Sequence, residues 1–212
     1  MGLARNGSAH SASVFINCPF DRGYQPLFDA IVFAVAYCGF IVSSALEVVD
    51  SGELRLAKIV KLIEESSFSI HDISRIEPDG NTGLPRFNMP IELGIAIGMK
   101  YLGRKALREH RILVLDGALK TERFRYQAFA SDLAGTDIGS HEGRPILAIE
   151  AVRDFLASAA NYPVPHADAI GDALNEFELT LPEVALANKQ RVEKLTFVDR
   201  YRHLANFIER SA

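Results

Sequence analysis

Apolar residues follow two alternating rhythms along the chain. Short β-rich runs at 14–16, 40–43, 68–73 and 111–116 are separated by longer segments whose apolar positions recur three and four apart. In the first of these, residues 25–38, Leu27, Phe28, Ile31, Val32 and Val35 fall at helical spacing after a turn at Pro19 and Asp21. In the second, residues 53–65, Leu56, Ile59, Val60 and Ile63 share one face and the charges take the other. The third, LPRFNMPIELGIAIGMKYLG at 84–103, is entered through a loop at 78–85 that carries Gly80 and Gly83. Strands alternating with helices in this way predict a parallel, doubly wound sheet with helices on both faces.

After Asp116 the rhythm changes. Residues 119–143 are irregular and polar, and residues 145–159 read as an amphipathic helix through Ile146, Ile149, Val152 and Phe155. Beyond Pro163 and Pro165 the pattern is helical to the end, over 167–177, 182–193 and 197–210. This divides the chain into a loose tail at 1–13, an α/β domain at 14–160 and a C-terminal helical appendage at 161–212.

Composition narrows the class. The 212 residues are 48% hydrophobic and 24% charged, as in an ordinary globular protein. A formal charge of -4 argues against a nucleic-acid partner. Cys18 and Cys38 sit in apolar contexts without metal-ligand spacing, which reads as reduced and intracellular, with no disulfide. The amino terminus lacks the apolar stretch of a secretory signal, and Asn6 stands where a myristoylation motif needs Ser or Thr. The longest apolar run, 30–42, contains Gly39 and is too short to span a bilayer, so the expectation is a cytoplasmic protein without a membrane partner. The six histidines show no pair at ligand spacing, and no metal is expected.

Open α/β sheets bind ligands beyond the carboxyl ends of their strands. Strand one ends in Asn17, Cys18, Pro19, Phe20 and Asp21, strand two runs into Ser43, Ser44 and Glu47, and strand three into His71, Asp72, Ser74 and Arg75. The helix that follows starts from the same rim. Asn88 reads as its N-cap and Pro90 belongs to its first turn, which puts Glu92 just inside it, a lone carboxylate among Ile91, Leu93, Ile95, Ile97 and Met99. Glu92 could simply complement the helix dipole, worth ~0.3 to 1 kcal/mol. Gly94 and Gly98 argue for more: each costs roughly 1 kcal/mol in a helix interior, and the expected return is a neighbouring backbone packed tightly enough to fix Glu92 in place. Asp72 reads equally as a loop cap or a site residue; His71 and Cys18 read as packing.

The segment ELGIAIG, behind a strand ending in Asp72 and a first strand reading VFINCPF, resembles the nucleoside 2-deoxyribosyltransferase family and, in the same arrangement, the TIR-like NAD-cleaving domains. The resemblance covers roughly residues 14–116 and implies a flavodoxin-like sheet. It implies that Glu92 is the catalytic carboxylate, with Asp72 binding ribose or assisting proton transfer to the leaving base. Asn88 would hold a sugar hydroxyl, and Phe20 or Phe87 would stack on a base. With Asn17, Asp21, Ser43, Ser74 and Arg75 at the strand ends, these make up the candidate substrate-binding set. The chain departs from the transferases at Cys18, where they usually carry glycine.

Cleaving an N-glycosidic bond builds positive charge on the ribose ring, which a carboxylate beneath the anomeric carbon can stabilise or attack. The expected ligand is a nucleoside, a nucleotide or NAD as substrate, with no further cofactor. Arg123 and Arg125, after strand four, could reach a phosphate at the rim. The family role implied is nucleotide metabolism or NAD depletion in phage defence, with a homo-oligomer as one candidate state. The alternative is a nucleotide-binding or assembly module without turnover.

Overall fold

Strand β1 (Ser13–Asn17) is buried at every position from Val14 onward, as a strand covered on both faces must be. In the computed structural model of the chain it is followed by α1 (Gln25–Tyr37), β2 (Ile41–Ser44), α2 (Arg55–Glu65), β3 (Phe68–Asp72), α3 (Asn88–Leu102), a short α4 (Lys105–Arg108), β4 (Arg111–Asp116), β5 (Ile138–Ser140), α5 (Pro145–Ala157), α6 (Ala167–Ala187), a 3-10 turn (Val192–Lys194) and α7 (Phe197–Ser211). The described residues are 12–47, 52–75, 78, 80, 83, 84, 86–118, 133 and 135–211. Residues 1–11 of the tail expected at 1–13, and Arg123 and Arg125, lie outside them, whereas Ser13 already belongs to β1.

The five strands are all parallel, in the order β2-β1-β3-β4-β5. This is the flavodoxin-like order, in which the connections reverse direction between β1 and β3 and open a crevice there. Helices α2 and α3 lie on one face, where Phe15 packs against Ile59, Ile63 and Ala96. Helices α1 and α5 pack on the other.

Helix α1 is apolar nearly all round, with residues 30–35 all buried. A helix of this kind needs cover on its outer side too, and the appendage supplies it. Phe33 meets Phe177 and Phe207, and Phe28 meets Phe197 at 5.6 Å between ring centres. Arg200 reaches Asp29 at 3.1 Å, pairs with Glu178 and lies over the Phe177 ring. The appendage also blunts an edge of the sheet, since the Val42 amide of β2 donates to the Tyr201 hydroxyl at 3.4 Å. No helix among the described residues is long and apolar enough to cross a membrane.

The structure corrects four expectations. A fifth strand, β5, stands inside the stretch read as irregular; it is three residues long, and its central Gly139 lies against Leu115 and Ala151. Helix α6 runs through Pro182, where a new helix was expected to begin. Buried Leu181 and Ala185 hold the turns on either side in the core, and the Thr180 hydroxyl bonds the Glu176 and Phe177 carbonyls. Asn88 is the first helical residue of α3 rather than its cap, and Phe87 occupies the cap position without a side-chain bond. Among the described residues nothing lies within 4 Å of where a Cβ would stand at Gly94 or Gly98, so no close approach among them accounts for these glycines. The tightly packed small residue of α3 is Ala96 instead.

Candidate active site

At the carboxyl ends of β1, β3, β4 and β5 the centre of organisation is Asp72, which is fully buried. Its Oδ1 accepts from the Ser74 amide at 2.9 Å and the Ser74 hydroxyl at 2.5 Å. Its Oδ2 accepts from the Tyr24 hydroxyl at 2.6 Å and from His141 Nε2 at 2.9 Å. Four donors fill the acceptor capacity of a carboxylate. The Gly143 amide donates to His141 Nδ1 at 3.0 Å, and this pattern assigns the ring proton to Nε2. Gly117, after β4, fits against Ser74 and His141, where a Cβ would stand 3.1 Å from Ser74 Cβ. Burial and the charge of Asp72 push the Tyr24 phenol far above its ordinary pKa. Asp72 therefore ties the start of α1 to the ends of β3 and β5.

Asn17, expected to bind substrate, points inward. Its side-chain amide donates to His71 Nδ1 at 3.0 Å, His71 Nε2 meets Ser69 Oγ at 2.9 Å, Ser69 Oγ meets His110 Nε2 at 2.8 Å, and His110 Nδ1 meets the Ser66 carbonyl at 2.9 Å. One arrangement of protons satisfies the whole chain: each group donates onward and both imidazoles are neutral. Burial, then the neighbouring His110, depresses the pKa of His71 to about 3; burial also lowers that of His110, against its bond to Ser66. The thiol of Cys18, buried and facing the charges of Asp72, Asp21, Asp29 and Glu92, is pushed well up, so it is a poor nucleophile.

Asp21 lies at the rim. Its carboxylate pairs with Arg75 at 3.2 Å and Arg86 at 3.3 Å, and it accepts from the Tyr24 amide at 3.1 Å. Burial alone would raise its pKa, but the bond and charge of Arg75, the charge of Arg86 and the Tyr24 amide hold it below the ordinary value. Phe20 packs edge-on against Phe28 at 5.5 Å and so joins the core. Phe87 and Asn88 are exposed at the start of α3, while Ser43 is half-buried in β2, opposite Phe15.

Glu92 is the exception among the buried polar groups. It is 4% exposed, yet its Oε2 has no hydrogen-bond partner among the described residues, and its Oε1 is 3.7 Å from Arg55 Nη2, too long for a hydrogen bond. Burial raises its pKa and Arg55 pulls it back down. Arg55 opens α2 and Glu92 lies in the first half of α3, so the pair closes the gap between the two helices at the carboxyl edge of the sheet. A buried acceptor without a donor costs ~1 to 3 kcal/mol. Such an oxygen is where a ligand hydroxyl, a water or a developing cation gains most.

Sequence reasoning missed Tyr24, His141 and Arg55. Tyr24 sat in a presumed turn, His141 follows a strand too short to show a period, and Arg55 read as part of a solvated helix face. Among the described residues no group of three His, Cys, Asp or Glu is placed to hold a metal ion.

These features define an open parallel α/β protein with a buried carboxylate, paired on one oxygen only at long range among the described residues, at the carboxyl edge of the sheet. No protein-family model and no curated protein matches the chain.

Proposed function

We propose that this protein cleaves the N-glycosidic bond of a nucleoside, a nucleotide or NAD, with Glu92 as the group beneath the anomeric carbon. The observation that carries the reading is the unpartnered Oε2 of Glu92, buried at the crevice where flavodoxin-like sheets take their ligands. As the bond to the base stretches, positive charge grows on the ribose, and a desolvated carboxylate aimed at it stabilises that charge or forms a glycosyl ester. The charge of Arg55, 3.7 Å from Oε1, opposes the burial that favours the neutral form of the carboxyl. Asp72, fully bonded, acts in this reading as a positioning residue that fixes Tyr24, Ser74 and His141. Phe87, exposed at the start of α3, is the candidate to stack on the base.

One observation favours a second reading, a nucleotide-binding module without turnover. Asp72, the group that would have assisted the leaving base, has no acceptor position left. Incubating the purified protein with NAD, nucleotides and deoxynucleosides, and analysing products by chromatography and mass, tests both readings. Free base from the wild type and none from Glu92→Gln supports cleavage; ligand binding without base release at high protein concentration supports the module.

A further inference from the structure

Ile59 and Ile63 anchor α2 to the sheet, but contacts among the described residues do not account for Arg55 and the first turn of the helix. The Arg55 side chain is 57% exposed, and among the described residues its only ion pair is the 3.7 Å approach to Glu92. Helix α2 spans 11 residues, its cap position is held by Leu54 with no side-chain bond, and its first turn has no acidic residue. An uncapped helix N-terminus carries roughly half a positive charge and free amides, which favour an anion. Across the Arg55 side chain lies Glu92, more than nine-tenths buried, with an acceptor oxygen that faces no donor among the described residues. The Arg55 side chain therefore links the helix terminus to the orphaned acceptor. A ligand bound between them would offer an anion to Arg55 and the α2 amides, and a hydroxyl to Glu92 Oε2.

We infer that the N-terminal turn of α2, with Arg55, is a phosphate subsite, so that the ligand of the Glu92 crevice is a phosphorylated pentose, as in a nucleotide, rather than a free nucleoside. The inference rests on the reading of Glu92 as a group that meets a sugar. A phosphate accepts two parallel bonds from a guanidinium and further bonds from helix amides, which a neutral sugar cannot do.

Calorimetric titration of ribose 5-phosphate, ribose and inorganic phosphate, at fixed ionic strength, into the wild-type protein and the Arg55→Gln and Arg55→Lys variants tests the subsite. The exposure of Arg55 leaves the fold intact in both variants, which circular dichroism checks. Ribose 5-phosphate should bind the wild type at least tenfold more tightly than ribose or phosphate alone. Arg55→Gln should erase that preference, and Arg55→Lys should keep part of it. Equal binding of ribose and ribose 5-phosphate, or a preference that survives Arg55→Gln, overturns the subsite; inorganic phosphate binding as tightly as the sugar phosphate overturns the pentose part of the ligand. A nucleoside cleaved as fast as its monophosphate would remove the subsite and leave glycosidic cleavage standing. Arg55-dependent binding of ribose 5-phosphate without base release from any nucleotide would do the reverse.

Discussion

Asp72→Asn changes one atom of a side chain and should cost the fold about 2 to 4 kcal/mol. The carboxylate accepts two bonds on each oxygen, and an amide offers one oxygen only. With the amide nitrogen on the Ser74 side, the Ser74 hydroxyl can rotate to accept, but the Ser74 backbone N–H cannot. With the nitrogen on the other side, the Tyr24 hydroxyl can rotate, but His141 cannot move its proton without setting Nδ1 against the Gly143 amide. Either orientation leaves one fixed N–H facing another donor in a fully buried site, worth ~1 to 3 kcal/mol, and weakens bonds that were charge-assisted. Tyr24→Phe, which removes one donor from a carboxylate that keeps three, should cost about half as much. Urea unfolding at neutral pH, with the slope of the transition unchanged, reads both. A loss below ~0.5 kcal/mol for Asp72→Asn would contradict the hydrogen-bond scheme, because that is the scale of an ordinary surface change.

Gly94→Ala and Gly98→Ala should each stabilise the protein by about 0.5 to 1 kcal/mol, since both glycines are helical and an added Cβ meets nothing within 4 Å among the described residues; a destabilised variant in thermal unfolding would mean that something beyond the described residues needs the space. His71, held to about 3 by burial against an unperturbed 6.5, gives a stability that is complete above pH 6.5 and declines as pH falls from there toward 3, because the unfolded chain takes up a proton the folded chain refuses. The slope is about 1.4 kcal/mol per pH unit at most for one such group. Burial raises the carboxyl pKa values of Asp29, Glu47 and Glu92 and brings their titration toward the same window, so the reading is the difference in unfolding free energy between wild type and His71→Gln. That difference should shrink between pH 7 and pH 4.5, and a constant difference would show that the imidazole is not buried neutral.

Four of the five strands and the order of helices were legible because each buried strand is a short apolar run and each helix keeps one apolar face. Strand β5 was not, since the three residues of Ile138–Ser140, centred on a glycine, carry no periodicity, and His141 was lost with it. Pro182 misled because local backbone chemistry predicts a break, whereas the cost of one missing hydrogen bond is outweighed by burying Leu181 and Ala185. At the site, the strand-end rule found the right edge of the sheet but could not tell inward from outward. Asn17 and Asp72 turned into the interior, where partners from other strands and from α1 complete their bonds. Arg55 and Glu92, 37 positions apart, meet only through the packing of α2 on α3. Glu92 was conspicuous as one charge in an apolar helix, and its burial gives that oddity a physical form, although the glycines first taken to support it face open space.

The most direct test of the account is release of free base from NAD, nucleoside monophosphates and deoxynucleosides by wild type and Glu92→Gln, followed by mass-resolved chromatography. The account predicts base release by the wild type and a loss of at least a hundredfold in Glu92→Gln with the fold unchanged. Base release at equal rates from both proteins would contradict it, because the buried Glu92 oxygen left without a partner among the described residues would then have no part in the chemistry.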